Sequence, residues 1–396
     1  MLSNEVKALD AQNVMQTYAR FDVVIDRGEG ATLYSPEGKK YIDFTSGIGV
    51  NSLGYGNKKW AEAIFAQAMK LQHVSNLFYT EPYAKLANKL TAQTKMKNVF
   101  FSNSGAEANE GMIKLARKYS FEKYGGNRNE IITLEQSFHG RTITTLAATG
   151  QESFHKYFFP FTEGFKFIPA NNADALEKAL TSNVCAVMIE LVQGEGGVLP
   201  LDKEYVKFVE KICKEKDVLL LVDEIQTGIG RTGTLFAFEQ YGIMPDVISF
   251  AKGIAGGVPM GGFLAAKNCS KTLLAGDHAT TYGGNPIAAS AAIEVLSQLT
   301  PELMNEVVEK GEFICKTVSE WKIKCLGEPR GIGLMLGFPI IDPDIKPRAV
   351  AEACAENGLL ILTAGTDALR MLPPLNISYE EIKEGLKILK KVLEEI

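Results

Sequence analysis

The chain has 396 residues, 46% of them hydrophobic and 22% charged, with a net charge of −5. That length allows two domains, or one large domain with an appendage, and the acidic balance excludes the basic stripe of a nucleic-acid binder. No apolar run reaches membrane-spanning length and Met1–Asp10 lacks a signal-peptide core, so a soluble, cytoplasmic protein is expected. The six cysteines are scattered without a CxxC pair and the four histidines share no spacing, which speaks against a disulfide framework or a metal site.

In chain order, the residues up to about Ala19 suit a helix with an apolar stripe at Val6, Leu9, Val14 and Tyr18. Pro36-Glu37-Gly38 is a turn signal between two alternating runs, as in a hairpin. Helical patterning follows at Lys58–Met69 and Pro82–Ala92. From about Asn98 strands and helices alternate. The strand candidates are Asn98–Ser102, Glu130–Leu134, Val184–Leu191, Val218–Val222, Val247–Phe250 and Gly262–Ala266. Between them lie helices at Ala106–Tyr119, Asp174–Ala179 and Lys203–Lys214. Such alternation predicts an α/β layer around a mostly parallel sheet. Helices at Pro286–Leu299 and Pro301–Glu320, then mixed patterning up to a final helix at Ser378–Glu395, suggest a smaller α+β unit.

Ligands of parallel α/β sheets sit beyond the carboxyl ends of the strands. Two adjacent runs end beside Asp223 and, two residues on, at Lys252. Small apolar flanks around Lys252 would desolvate its amine and lower its pKa, as an imine-forming lysine requires. An acid at Asp223 could then face the ring nitrogen of a pyridoxal cofactor. Taken singly, Lys252 could be a loop lysine and Asp223 a helix cap. Ser104, Gly105 and Ala106 open a helix after a strand, either as an anion cradle or as an ordinary cap with Glu107. Gly228–Gly233 matches GxGxxG, but five residues separate it from its strand and no helix opens at the glycines. A dinucleotide site is not expected there.

The segments NSGAEANE, SFHGRT, QGEGG, VDEIQTGIGRTG, AKGI and TYGGNP occur in this order. Together they resemble the class III pyridoxal-phosphate aminotransferases, with a likeness that spans nearly the whole chain. The resemblance implies a fold-type I transferase with a large α/β cofactor domain at 50–297. The smaller α+β domain would be built from 1–49 and 298–396.

The same resemblance implies roles for single residues. Lys252 would carry the cofactor and shuttle a proton, with Asp223 on the ring nitrogen. Phe138 and Ile225 would flank the ring, Gln226 would meet its hydroxyl, and Glu190 would lie close by. Ser104, Gly105 and Ala106 would hold the phosphate, joined by Thr281 from a neighbouring subunit, which implies a homodimer with shared sites. Thr280 would lie near the substrate. Arg141 would hold a substrate carboxylate, and Glu195 would mask Arg370 by an ion pair in one half-reaction and release it in the other. Without the resemblance, each of these three charges could be a structural ion pair.

The implied reaction is a ping-pong transfer from an ω-amino donor to 2-oxoglutarate. Ile48 stands where ornithine-specific relatives have a tyrosine for a free α-amine, so an acylated donor such as N-acetylornithine is expected. Succinyl-diaminopimelate is a possible second donor; ornithine, succinylornithine and 4-aminobutyrate are the alternatives. Tyr55 replaces a histidine usual in the family.

Overall fold

The computed structural model describes residues 1–396. Its central sheet has seven strands in the order Asn98–Ser102, Gly261–Ala265, Val247–Phe250, Leu219–Asp223, Val184–Glu190, Glu130–Leu134, Phe165–Ile168. Only Gly261–Ala265 runs against its two neighbours; the other pairings are parallel. The expected α/β architecture with a mostly parallel sheet is therefore present. Strands covered on both faces must be apolar throughout. Val184–Glu190 is buried at every position and apolar up to its last residue, Glu190.

Two departures from the sequence reading have physical causes. Phe165–Ile168 went unread because it is an edge strand, with only Ile168 fully buried and Lys166 interrupting the apolar run. The first helix covers Ser3–Asn13 and stops before Val14 and Tyr18, both exposed. None of its residues is buried, so the apolar stripe has no core to meet and cannot extend the helix.

The opening hairpin forms as expected, with Thr32–Tyr34 antiparallel to Lys40–Asp43. Leu359–Leu360 joins it in parallel, so residues from both chain ends share one four-stranded sheet. A second four-stranded sheet, ordered Arg330–Ile332, Met335–Pro339, Ala368–Met371, Leu362–Ala364, carries Arg370. One apolar cluster runs without a break from Ile42 and Phe44 through Val222 and Ile248 to Leu389, which fixes these sheets against the central one. Each fully buried Leu, Ile or Phe in it contributes about 1.5–3 kcal/mol of transfer free energy.

Candidate active site

A cavity of about 460 Å³ opens at the carboxyl ends of the central strands. Neighbouring register sets its floor: Asp223 pairs with Glu190 on one side and Ser249 on the other, so three strand ends finish level. Lys252 lies just beyond Val247–Phe250, with φ 42°. A lysine in the left-handed region is uncommon and is held there by its surroundings. Its amine faces the cavity and meets no protein hydrogen-bond acceptor; burial lowers its pKa against the opposing pull of Glu195 and Asp223.

Asp223 is nearly inaccessible and densely bonded. Its Oδ2 accepts from Asn109 Nδ2 at 2.8 Å and lies 2.8 Å from His139 Nδ1, while its Oδ1 accepts from the Ile225 amide at 3.0 Å. For His139, burial opposes the charged form, but the hydrogen bond and charge of Asp223, with Glu190 beyond, outweigh it and raise the pKa. Burial is also the main reason that the Glu190 carboxyl is raised. Glu190 Oε2 accepts from the Phe138 amide at 2.9 Å and its Oε1 from the Gly194 amide at 3.3 Å, so it anchors two loops at the cavity wall. Asn109 and His139 were not singled out from the sequence. Both lie in segments that were, Asn109 one helical turn after Gly105 and His139 inside SFHGRT.

The helix Gly105–Tyr124 begins at the cavity, with Ser104 as N-cap accepting from the Glu107 amide at 3.2 Å. The cap reading is present in the structure, and it leaves the first N–H groups of a 20-residue helix without intrahelical partners. A Cβ on Gly105 would come within 2.9 Å of Ile225 Cδ1, so the backbone approaches that side chain as only glycine permits. Phe138 stands in the wall, edge to face with Phe154 at 6.0 Å, and the Arg141 guanidinium lies 4.0 Å above the Phe154 ring. The aromatic pair orients Arg141 at the rim through a cation–π contact.

Glu195 and Arg370 form the expected ion pair, NH1 to Oε1 at 2.5 Å, and Arg370 also donates to Gln226 Oε1 at 3.1 Å. They stand behind Gln226, which itself lines the cavity. Burial raises the Glu195 pKa, but the charge and hydrogen bond of Arg370 overcome this and hold it below the usual carboxylate range. Glu195 also lines a second, more polar cavity of about 690 Å³ with Glu152, His155 and Thr363.

Not every candidate converges in one chain. Thr280 Oγ1 accepts from Asn103 Nδ2 at 3.1 Å, which places it beside the cavity. Thr281 is exposed and outside it. Ile48 is 44% exposed, in a run of left-handed residues that leads to Val50 in the cavity wall. Tyr55 donates to the buried Asp43 at 2.8 Å and accepts from Asn51 at 3.4 Å, so it braces that run from behind. The GxGxxG segment is a buried loop with no phosphate-binding geometry. Its Arg231 donates to the carbonyls of Leu334 and Pro373, and burial brings its pKa down to about 9.

The site tests favourably for pyridoxal phosphate. It combines an amine without a partner, a carboxylate at the next strand end, a helix N-terminus with spare N–H groups and two apolar wall residues. No group of side chains has metal-ligating character.

Comparison with known proteins agrees. The aminotransferase class-III family model matches residues 14–393. The chain is similar to the acetylornithine aminotransferase of Haemophilus ducreyi, 50% identical over 100% of both chains. It is also 47% identical to that of Caldanaerobacter subterraneus, over 97% of this chain and 98% of the relative. Among solved structures, the ornithine aminotransferase of Toxoplasma gondii superposes with a TM-score of 0.96 at 31% identity, over 100% of this chain and 96% of the other. The N-acetylornithine aminotransferase of Stenotrophomonas maltophilia gives a TM-score of 0.85 at 36% identity, covering 98% of each chain. On a full-length match joined to this site geometry, the chain belongs to the class III aminotransferase family.

Proposed function

We propose that this enzyme transfers the δ-amine of N-acetylornithine to 2-oxoglutarate, yielding N-acetylglutamate semialdehyde and glutamate, a step of arginine synthesis. The observation that carries it is the cavity in which Lys252 and Asp223 meet while the Glu195–Arg370 ion pair closes behind Gln226. Bound pyridoxal phosphate supplies the electron sink for the carbon whose C–H bond breaks.

Lys252 holds the cofactor and then, as a free amine, moves the proton at the substrate carbon that bears the nitrogen. Asp223, backed by His139, offers a negative charge to the ring nitrogen. Phe138 and Ile225 cover the ring faces, Gln226 meets the ring hydroxyl, and the Ser104–Ala106 turn takes the phosphate. Arg141 grips a substrate carboxylate, for which a guanidinium fork is suited. Glutamate brings a second carboxylate and needs Arg370; the acetylated donor does not. Glu195 pairing with Arg370 removes the buried charge while that donor is bound.

Thr281 on the surface suits a reach into a second subunit's site. Asn76 donates to the carbonyls of Thr280 and Gly283, so the exposed Leu77, Phe78 and Tyr79 flank that segment. Such an apolar surface favours a homodimer. We also read 50–297 as the cofactor domain and 1–49 with 298–396 as the smaller one. The close superposition on an ornithine aminotransferase favours a second reading, with ornithine as donor. The apolar Ile48 speaks for the acylated donor, since it offers no partner to a charged α-amine.

The test of the chemistry is Lys252→Ala in the cofactor-loaded enzyme. Loss of turnover in a folded dimer is expected. Wild-type turnover would refute the assignment.

A further inference from the structure

The loop Gly194–Val198 that carries Glu195 is held from three directions. Its ends are pinned to each other by the short antiparallel pairing of Val192–Gln193 with Leu199–Pro200. The Glu195 carbonyl accepts from the Gly365 amide at 2.8 Å. The Gly197 carbonyl accepts from Arg330 Nε at 2.7 Å, and Arg330 NH2 lies 3.4 Å from Asp367 Oδ1. Within the loop Val198 has φ 57°, a conformation that a β-branched residue avoids, so the loop keeps its shape only while held.

Register explains why the clamp falls here. Arg330 pairs with Gly337 on one side of strand Met335–Pro339, and Arg370 pairs with the same Gly337 on the other. Two strand spacings put the arginine backbones about 10 Å apart. The loop lies over the glycine between them, where a Cβ would come within 2.8 Å of Val198 Cβ and 3.1 Å of the Gly197 carbonyl oxygen. One arginine therefore holds the Glu195 side chain and the other holds the backbone two residues on. A hydrogen bond from a charged donor to a carbonyl is among the stronger kind, and Asp367 fixes the guanidinium that makes it.

We propose that Arg330 is a positioning residue for the Glu195 switch. With the backbone pinned by Arg330 and Gly365, the pair with Arg370 opens by rotation of the Glu195 side chain alone and re-forms in one place. Arg330 touches neither substrate nor cofactor in this scheme; it sets how well Arg370 is masked when the acylated donor binds. The inference rests on reading Glu195–Arg370 as that mask.

The test uses the cofactor-loaded enzyme with Arg330→Met, Arg330→Lys, Glu195→Gln and the double variant Glu195→Gln/Arg330→Met. Half-reaction kcat/KM is measured for N-acetylornithine and for glutamate. Arg330→Met is expected to lower the acetylornithine-to-glutamate ratio about tenfold, chiefly through KM for acetylornithine. Arg330→Lys keeps the charge but not the fork, and should shift the ratio the same way by less, which protects the test if the methionine variant folds poorly. In the Glu195→Gln background, Arg330→Met should leave the ratio where Glu195→Gln alone put it. A ratio moved by Glu195→Gln but not by either Arg330 variant overturns this proposal alone, as does a further change of the ratio when Arg330→Met is added to Glu195→Gln. A ratio untouched by Glu195→Gln overturns the masking reading, and this proposal with it.

Discussion

The Glu195–Arg370 pair is unequal in its access to solvent: 4% of the arginine side chain is exposed against 30% of the glutamate. Arg370 therefore cannot leave for water, whereas Glu195 can. The asymmetry assigns movement to the carboxylate and makes the arginine a fixed charge that must be either masked or used.

Replacing Glu195 by Gln should leave Arg370 uncompensated whenever a donor without a second carboxylate is bound. Because Glu195 is partly solvated, the loss is nearer about 1–2 kcal/mol than the larger penalties of fully buried pairs. The acetylornithine-to-glutamate ratio of kcat/KM should fall roughly tenfold, since about 1.4 kcal/mol is a factor of ten. The sign of any pH effect follows from the depressed Glu195 pKa. The pairing is complete above the ordinary carboxylate value and is lost only as pH falls through the folded one. The ratio should thus be flat across neutral and alkaline assays. A ratio that titrates near neutrality would speak against Glu195 as the mask.

His139 contributes to the site through Asp223, not through substrate. His139→Asn removes one of the two partners of Asp223 Oδ2 and should lower turnover by about tenfold while the cofactor still binds. Stability supplies an independent reading. The folded pKa of His139 is raised, so its stabilising contribution is full below the ordinary value of 6.5 and disappears as pH rises through the folded value. Denaturant unfolding of wild type and variant should diverge most in mild acid and converge in alkali. A constant gap across pH would remove this account of the contact.

Lys252 in the cofactor-free protein should behave as an unusually nucleophilic amine. Its folded pKa lies below the ordinary 10.5, so the neutral fraction rises at a lower pH than for surface lysines. Competitive labelling with an amine-selective reagent, read peptide by peptide, should show Lys252 modified first as pH is raised. Labelling in step with the surface lysines would contradict the desolvated placement.

Much of this architecture is legible from sequence because buried parallel strands must be apolar along their whole length. Leu219–Asp223 and Val247–Phe250 announce themselves, and the acid that ends the first and the lysine just beyond the second can be paired by the rule for strand ends. Phe165–Ile168 escapes that logic since an edge strand tolerates Lys166. The polar contacts escape it for a different reason. Asp223 is separated from His139 by 84 residues and from Asn109 by 114, and Glu195 from Arg370 by 175. No local periodicity encodes such partners; only the sheet register brings them together. The family resemblance pairs Glu195 with Arg370, whereas only the fold brings His139 and Asn109 to Asp223.

Substrate choice is most directly tested by a single-turnover half-reaction of the cofactor-loaded enzyme, followed by absorbance, with N-acetylornithine and ornithine in parallel. The expected result is fast, complete conversion by N-acetylornithine and conversion by ornithine at least about tenfold slower at equal concentration. Faster conversion by free ornithine would contradict the assignment of an acylated donor and the role given to Ile48.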